Sequence, residues 1–199
     1  MSQTESEISV PLLPLPITTR RLLIREYTAE DAGAVFGYVK DPIYWQYQRS
    51  EAPSEEQIKT LIEWVVREQA ASPRLLYFMA VARRDTGEII GEAVLKITNL
   101  MDRQGDLGFG VAPKFWKQGY GTEIGQAILD AAFAHFRLHR VAGLCSPDNK
   151  GSIRVMQKLG MAREGLLRDV HFGRGKWWSS LVYGILEGEY AKIRSVKKG

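Results

Sequence analysis

One loop of the chain has the composition of an anion-binding site. A strand-like run ends at Val111, and after a short loop with Gly119 and Gly121 an apolar-periodic segment typical of a helix begins. Glycine lets the backbone approach a ligand closely, and the free N–H groups in the first turn of a helix bind anionic oxygens. The Thr122 hydroxyl adds a donor. The pattern indicates a phosphate-binding loop, although a Gly-x-Gly pair before a helix also occurs as an ordinary tight turn.

Two familiar nucleotide-binding loops do not fit this segment. A Walker A loop ends in Gly-Lys-Ser/Thr, and that ending is absent from the loop. The dinucleotide fingerprint needs a third glycine where this chain has Ile124, although Gly125 is adjacent. That fingerprint also follows the first strand of its fold, whereas this loop follows several antiparallel-looking strands. The loop therefore matches neither pattern.

The residues before the loop predict one strand and two helices. The strand is expected over residues 20–27, where strand-favouring residues cluster. The first helix starts after Thr28, with Asp31 in its first turn. It ends near Pro42, because the residue before a proline is kept out of helical geometry. The second helix starts at Ser54, a good N-cap residue ahead of an apolar face.

The remaining elements predict a single α/β domain with a mixed sheet. Residues 85–87 (Asp-Thr-Gly) indicate a hairpin turn, and Gly160 is placed to end a helix in left-handed geometry. A strand–helix–strand–helix–strand portion is flanked by antiparallel strands, an order typical of one mixed domain. The expected strands cover residues 75–82, 89–97, 107–111, 140–145, 165–172 and 177–186, and the expected helices cover 121–137 and 150–159.

Composition and charge are those of an ordinary globular chain with a basic end. The 199 residues include 27 Lys and Arg against 23 Asp and Glu, and four of the positive charges lie among the last eight residues. We expect a flexible, proline-rich lead-in over residues 1–17, a folded domain over 18–190 and a basic tail over 191–199. The body has no basic stripe interleaved with aromatic residues, so no nucleic-acid partner is expected.

Cysteine content and hydropathy bear on redox chemistry and location. Cys145 is the only cysteine, which excludes an intramolecular disulfide. It could be an acyl-carrying nucleophile with His139, but no activating surroundings are visible, and an unreactive buried thiol is the better interpretation. Glu5 and Glu7 precede a short apolar stretch broken by prolines, unlike a signal peptide, and no apolar run approaches the roughly 20 residues that span a bilayer. A cytoplasmic protein without a membrane partner is expected.

Three blocks of the sequence resemble the GNAT superfamily of N-acetyltransferases. Residues 116–123 read WKQGYGTE and resemble its acetyl-CoA pyrophosphate loop. Residues 148–161 read DNKGSIRVMQKLGM and resemble the Asn-x-x-Ser helix of one branch, the enzymes that acetylate N-terminal alanines of ribosomal proteins. Residues 19–25 read TRRLLIR, with EDA over 30–32, as in that branch. The resemblance covers about residues 18–190, nearly the whole domain.

The chain departs from this branch at three positions. Trp116 stands where Arg or Gln usually opens the loop, a variant familiar in the branch, and Met161 replaces a Phe. Ser179 occupies a place where the branch usually has an Asp. The last difference weakens the transfer of acceptor specificity more than the transfer of acetyl-CoA binding.

The resemblance implies a central, mostly antiparallel sheet with a splayed parallel pair and flanking helices. The strand through Phe109, Gly110 and Val111 would separate from the strand over residues 140–145 and open a V-shaped slot for pantetheine. The pyrophosphate would sit on the backbone amides from Gln118 to Thr122. Acetyl-CoA is then the acetyl donor, no metal is implied, and the residues expected to bind the cofactor are Phe109, Gly110, Val111, Lys117, Gln118, Gly119, Tyr120, Gly121, Thr122, Asn149 and Ser152.

The reaction implied by the resemblance is direct attack of a neutral amine on a thioester. Asn149 and Ser152 are one helical turn apart, so both can face the slot. The resemblance gives Asn149 a hydrogen bond to the cofactor and Ser152 the protonation of the leaving sulfur. Asn and Ser also begin helices as N-caps, and for Asn149 both roles can hold together. Alignment of the reactants supplies much of the rate in such reactions.

The general base is left open by the sequence. His171 suits the role because histidine titrates near neutral pH, and Asp169 matches an acid of the related branch. Both are therefore candidate catalytic residues, although a single histidine in a strand is more often structural. Glu92 and Asp106 also lie on strands that could border the acceptor side. An ordered water acting through these groups is an equal alternative.

The acceptor implied by the resemblance is a primary amine, first the N-terminus of a protein such as a ribosomal protein. A small amine (a polyamine, an amino acid or an amine antibiotic) is the near alternative. It would need an acidic pocket, which the balanced charge of this chain does not indicate. A non-catalytic acyl-CoA-binding module is a further alternative. Aromatic residues are expected at the acceptor mouth, at a homodimer contact or in plain packing; they are Tyr44, Trp45, Tyr47, Trp177 and Trp178.

Overall fold

The computed structural model describes residues 10–196, and these form an eight-stranded mixed sheet with five α-helices. The neighbour order in the sheet is β1-β2-β3-β4-β5-β6-β8-β7, and every neighbouring pair is antiparallel except β5 with β6. The strands are β1 (Ile17–Thr18), β2 (Leu22–Arg25), β3 (Leu76–Arg83), β4 (Ile89–Asn99), β5 (Gln104–Val111), β6 (Arg140–Cys145), β7 (Ala162–Gly173) and β8 (Lys176–Leu186). The helices are α1 (Ala32–Val39), α2 (Glu55–Glu68), α3 (Tyr120–Asp130), α4 (Lys150–Lys158) and α5 (Glu187–Val196).

The helix starts follow the predicted capping chemistry. Ser54 caps α2 through a capping box, in which its hydroxyl accepts from the Gln57 N–H at 3.2 Å and its own N–H donates to the Gln57 side chain at 2.7 Å. Ile58 and Ile62, one turn apart, are buried on the inner face of this helix. Helix α4 is followed by Gly160 with φ of 82°, the left-handed C-cap that the sequence predicts.

Helices cover both faces of the sheet. A Cβ placed on Gly121 of α3 would lie 3.4 Å from the Phe109 ring, so Phe109 of β5 points toward α3. Tyr38 of α1 donates to Glu92, which pairs with Gly110 across β4 and β5. Because neighbouring strand residues point to opposite sides, Gly110 faces α1. We refer to these sides as the α3 face, which also carries α4, and the α1 face, which also carries α2.

The parallel pair β5 and β6 separates along its length. The two strands pair only over residues 104–106 and 140–142. Beyond that point, residues 107–111 pair with β4, and residues 143–145 pair with β8. The facing edges of β5 and β6 therefore carry backbone groups without strand partners in the part of the chain that the structure describes. This opening, which we call the slot, connects the α3 face with the α1 face and confirms the predicted splayed pair.

The ends of the domain differ in detail from the predicted boundaries. Within the expected lead-in, Leu13 is buried against the core and β1 begins at Ile17. Its residues 1–9 lie outside the described part. At the other end α5 continues to Val196, so the expected boundary at Tyr190 falls inside a helix. The buried Tyr190 stacks on Phe133 with ring centroids 4.9 Å apart, which attaches this helix to the body. Residues 197–199 of the expected basic tail are outside the described residues.

Candidate active site

The glycine loop forms a helix start without a side-chain cap. A 3-10 turn, Pro113–Phe115, leaves β5, and the Trp116 indole N–H donates to the Val111 carbonyl at 2.6 Å. Lys117 and Gly119 then adopt left-handed geometry, with φ of 61° and 84°. Gly119 is the N-cap of α3, and no side chain bonds to the first turn. The leading N–H groups of α3 are therefore free to bind an anion.

An ion pair between Arg21, the residue before β2, and Glu123 of α3 supports this loop. Arg21 donates through Nε to Glu123 at 2.7 Å and through Nη1 to the Gln118 carbonyl at 3.0 Å. Its guanidinium lies 4.1 Å from the centre of the Tyr120 ring. Burial opposes ionisation of Glu123, but hydrogen bonds from Thr19 and Arg21 outweigh it and hold the pKa of this carboxyl below its usual range. Arg21 thus connects the start of β2 to both sides of the Gly119 turn.

Removal of the Arg21 side chain should weaken cofactor binding. For Arg21→Ala we expect the dissociation constant of acetyl-CoA to rise roughly ten- to hundredfold, because hydrogen bonds to charged groups contribute about 1.5–3 kcal/mol and two of them position the loop. Isothermal titration with acetyl-CoA measures this. Arg20→Ala is the matched control, since Arg20 is exposed and uses only its carbonyl oxygen, which accepts from Arg84. Equal dissociation constants for the two variants would contradict an anchoring role.

The start of α4 lies beside the slot. The Asn149 side-chain oxygen accepts from the Ser152 backbone N–H at 3.0 Å, so Asn149 is the N-cap of α4. Its amide NH₂ remains available as a donor. Helix α4 packs on α3 at Gly121, where a Cβ would lie 3.3 Å from Val155. Both Asn149 and Ser152 are half-buried.

A half-buried carboxylate faces the other side of the slot. Glu92 of β4 accepts hydrogen bonds from the Tyr38 hydroxyl at 2.9 Å and from the Tyr44 hydroxyl. It lies directly across from Gly110, which has no side chain to separate it from the strand edge. Burial raises the pKa of Glu92, and the two tyrosine hydrogen bonds oppose that shift. Burial and the nearby Glu92 charge raise the pKa of Tyr38 and Tyr44, so both phenols stay protonated as donors.

The tip of the β7–β8 hairpin reaches the loop between α1 and α2. Arg49 Nη1 contacts His171 Nδ1 at 2.8 Å, and Arg174 donates to the Trp45 carbonyl at 3.3 Å. Trp178 donates from its indole to the Gly173 carbonyl at 2.9 Å. Because Arg49 can only donate, the Nδ1 atom of His171 accepts this hydrogen bond. These contacts join the tip of the hairpin to the loop between α1 and α2 on the α1 face, and we call this region the hairpin-tip contact.

The structure distributes the four candidate bases over both faces of the sheet. His171 pairs with Trp178 across β7 and β8, and its contact with Arg49 places it on the α1 face with Glu92. Asp169 instead bonds the Ser179 side chain. Ser179 follows Trp178 on β8 and therefore points to the opposite side, the α3 face. Asp169 is thus on the α3 face. Asp106 lies in the last residue pair before the slot. Burial raises the pKa of Asp106, and the positive charges of Lys96 and Arg140 partly offset this rise.

Arg21 and Arg49 were not given roles by the sequence. Arg21 belongs to a block used for the resemblance, but nothing in that block reveals that its guanidinium reaches Gln118. Arg49 lies in a loop without a pattern, and its contact with His171 spans 122 residues of sequence. Both roles depend on long-range contacts, and local spacing carries no signal for them.

The single cysteine is not an activated nucleophile. Burial raises the pKa of the Cys145 thiol to about 11, which keeps it protonated at neutral pH. His139 lies at the opposite end of β6 and contacts Glu187 at 3.0 Å. Within residues 10–196 no group of three or more His, Cys, Asp or Glu side chains is arranged to hold a metal ion. None of the described helices is both long and apolar enough to cross a bilayer.

The split sheet and the uncapped helix start beside it fit the N-acetyltransferase fold that the sequence resembles. The chain belongs to the GNAT acetyltransferase family: residues 21–162 match its Acetyltransferase (GNAT) domain. The uncharacterized N-acetyltransferase YnaD of Bacillus subtilis (strain 168) is 33% identical over 174 residues, which cover 87% of this chain and 98% of that protein. The family resemblance found in the three sequence blocks is confirmed.

Two solved structures share the fold at low sequence identity. A ribosomal-protein-S5-alanine acetyltransferase from Vibrio fischeri superposes with a TM-score of 0.76 at 17% identity, covering 89% of this chain and 99% of that one. A spermidine N-acetyltransferase from Vibrio cholerae, in complex with CoA and spermine, superposes with a TM-score of 0.73 at 18% identity, covering 87% and 99%. Because these two proteins are named for different acceptors, the shared fold by itself leaves the acceptor open.

The residues present fit acetyl-CoA, the acetyl donor of this family. The free N–H groups that follow Gly119 suit a pyrophosphate. The unpaired edge of β5 offers backbone donors and acceptors to an amide-containing chain such as pantetheine. Gly121 leaves no side chain between α3, Phe109 and Val155, so a ligand could approach the backbone there.

Proposed function

We propose that this protein transfers the acetyl group of acetyl-CoA to a primary amine, and that the first acceptor is the N-terminus of a protein such as a ribosomal protein. One observation carries the proposal. The slot between β5 and β6 has an anion-binding helix start on its α3 face and the carboxylate of Glu92 on its α1 face. A donor entering from the first side and an amine entering from the second would meet inside the sheet.

The proposed cofactor site follows the slot from the α3 face inward. Pantetheine would pair with the backbone of Phe109, Gly110 and Val111, whose β6-side edge is unpaired. The pyrophosphate would bind the turn from Lys117 to Thr122, with the amides of Gln118, Gly119, Tyr120 and Gly121 pointing at its oxygens. The free NH₂ group of Asn149 and the hydroxyl of Ser152 would complete the site at the start of α4.

The proposed chemistry divides proton transfer between two residues. Acetyl-CoA supplies a thioester carbonyl that an amine can attack directly. As the amine nitrogen bonds to that carbon, its proton passes to the Glu92 carboxylate, whose raised pKa suits a proton acceptor. The C–S bond then breaks, and the Ser152 hydroxyl gives its proton to the departing sulfur. Ser152 regains a proton from water and Glu92 releases the amine proton to water, so both residues return to their starting states. His171 is the weaker candidate base because its Nδ1 already accepts from Arg49, and Asp169 lies on the other face.

The charge at the hairpin-tip contact favours an acceptor that is not a polycation. Three cations are exposed there, Arg49, Arg174 and Lys176, and none of them has a carboxylate within 4.0 Å among the described residues. Like charges repel, so a polyamine that approached Glu92 from this side would be disfavoured. A chain terminus with one positive charge fits better, and the three sequence blocks that resemble the ribosomal-protein branch point the same way.

Ligand-dependent stability tests the proposed donor first. A ligand that binds only the folded state stabilises it by RT ln(1 + [L]/Kd), about 2.7 kcal/mol at a concentration 100 times Kd. We expect acetyl-CoA and CoA to raise the melting temperature and NAD and ATP to leave it unchanged. A melting temperature insensitive to both CoA species would overturn the proposal at its first step.

Acceptor choice is tested separately with the same protein. Peptides with free N-termini and spermidine are offered with acetyl-CoA, and released thiol is measured together with the mass of the product. We expect acetylated peptide and little acetylated spermidine. The reverse preference would support acetyltransferase activity but contradict a protein N-terminus as the acceptor.

A further inference from the structure

The tip of the β7–β8 hairpin has positively charged side chains and no acidic ones. Residues 170–178 read VHFGRGKWW and include Arg174 and Lys176, both exposed. Across the hairpin-tip contact Arg49 is exposed as well, and Glu51, two residues later in the sequence, forms no ion pair with it. Three cations are therefore available here to bind an anion.

Packing contacts place these cations on the α1 face. The backbone of Arg49 lies against the hairpin, since a Cβ on Gly173 would be 2.5 Å from the Arg49 carbonyl oxygen. The Lys176 Nζ atom lies 4.0 Å from the centre of the Trp178 ring, which points to the α1 face. The cations are thus on the side of the sheet that also carries Glu92.

A short series of contacts connects these cations with the carboxylate of Glu92. Arg174 donates to the Trp45 carbonyl at 3.3 Å. The Trp45 ring packs against the Tyr44 ring with centroids 5.3 Å apart, and the Tyr44 hydroxyl donates to Glu92. A polypeptide whose N-terminal amine lies at Glu92, and whose chain leaves on this side, would therefore place its next residues beside the cations.

The exposed aromatic rings of the hairpin favour a polypeptide over a nucleic acid. Proteins that bind single-stranded nucleic acids combine cations with aromatic rings on which the bases stack. The rings of Phe172 and Trp177 are each 61% exposed. They follow and precede His171 and Trp178, respectively, and so project to the opposite side of the hairpin. On the α1 face the Trp178 ring is covered by Lys176. Cations and free rings are therefore separated, and carboxylates fit the cations better than a stacked strand does.

We propose that Arg49, Arg174 and Lys176 bind acidic residues of the acceptor polypeptide, so that the preferred N-termini are those followed within a few residues by Asp or Glu. Arginine presents paired N–H donors that match a carboxylate, and complementary charge also speeds the encounter. This preference rests on the proposed function, the transfer of an acetyl group to a protein N-terminus, and adds which N-termini are selected.

Three peptides of equal length test the acidic preference. All begin with the same two neutral residues, which are followed by a run of Glu, of Gln or of Lys. We expect kcat/KM for thiol release to fall in that order, by at least about tenfold from the Glu to the Lys peptide, because like charges would meet at the cations. Added salt should reduce the difference, since the Debye length is only about 3 Å at 1 M.

The outcomes separate this preference from the proposed function. Equal turnover of the three peptides, or the best turnover with the Lys peptide, would overturn the acidic preference and leave transfer to N-termini standing. No turnover of any peptide would overturn both.

Charge reversal at the tip assigns the preference to these cations. In the double variant Arg174→Glu with Lys176→Glu we expect the order of the peptides to invert, so that the Lys peptide becomes the best acceptor. Lys176→Glu alone should narrow the preference. Its matched control is Lys192→Glu, an exposed lysine on α5, which begins at the other end of β8; it should keep the wild-type order and rates. A double variant in which all three peptides slow equally and keep their order would show only structural damage and would contradict the proposal.

Fluorescence anisotropy distinguishes carboxylates from phosphates as the bound anion. Wild type and the double variant are titrated against the labelled Glu peptide and a labelled single-stranded RNA oligonucleotide of equal charge. We expect the double variant to lose affinity for the peptide and wild type to bind the RNA no more tightly than the peptide. Tighter binding of the RNA, lost in the double variant, would assign these cations to phosphates and overturn the proposal.

Discussion

Glu92→Gln is expected to lower kcat/KM by roughly 10²–10⁴-fold, the usual contribution of a general base, while acetyl-CoA binding stays at the wild-type level. Gln keeps the shape of the side chain and can still accept from Tyr38 or Tyr44, but it cannot take the proton of the amine. The measurement is thiol release as a function of amine concentration and pH. In wild type, kcat/KM should rise with pH through the pKa of Glu92, which burial places above the ordinary carboxylate value. The variant should lack this dependence.

Stability provides the control for this substitution. Because the pKa of Glu92 is higher in the folded state than in the unfolded chain, the protonated form stabilises the fold at low pH. That stabilisation is lost as the pH rises through the folded-state value. At neutral pH the ionised carboxylate therefore opposes folding, and Glu92→Gln should melt at or above the wild-type temperature. Glu88→Gln, on the same hairpin but exposed and paired with Lys114, should keep full activity. An unchanged kcat/KM in Glu92→Gln would return the role of base to His171, Asp106 or an ordered water.

Gly110→Ala is expected to abolish most of the turnover through a single added methyl group. A Cβ at Gly110 would lie 2.6 Å from the Glu92 carboxyl carbon and would overlap the Tyr44 hydroxyl, so the carboxylate must move. A displacement of about 1 Å at a reacting group can cost on the order of a hundredfold in rate. Overpacking of this kind also destabilises by about 1–3 kcal/mol. Steady-state kinetics and thermal melting measure the two effects.

Gly108→Ala is the matched control for this methyl group. Gly108 lies two residues earlier on β5 and faces the same side, but a Cβ there would meet only Val94, at an ordinary 3.4 Å. We expect near wild-type turnover from this variant. Similar losses in both variants would mean that β5 itself requires glycine at these positions. The argument that Gly110 leaves room for the Glu92 carboxylate would then fail.

The loop and helix starts could be predicted from the sequence because their chemistry is local. Ser54 and Gln57 form the predicted capping box, and Asn149 caps α4 through the residue three positions later. Gly160 has the left-handed geometry in which a residue with a Cβ would be strained, so a glycine after a helix predicts the end of that helix. The order of strands and helices also followed from periodicity. The last helix, α5, was missed because its sequence is charged and weakly periodic, and its attachment depends on Tyr190 packing against Phe133.

The choice among candidate bases could not be made from spacing. Asp169 and His171 are two residues apart and would share a face in a regular strand. The register of β7 shifts between Leu167 and His171, and Asp169 has φ of 50°, so the alternation is broken and the two side chains point to opposite sides. A bulge of this kind depends on pairing with β8, and the sequence of β7 alone does not reveal it.

By itself the sequence determined the family and the single mixed domain, and it predicted where an anion would bind, because these depend on short patterns such as the residues around Gly119. Only the tertiary structure decided which groups meet at the slot. Glu92 comes from β4, and Tyr44 and Arg49 come from the α1–α2 loop. The physical reason is that the pKa of a carboxylate and the partner of a cation are set by neighbours brought together in space, and burial of Glu92 against two tyrosines arises only when the sheet and α1 pack.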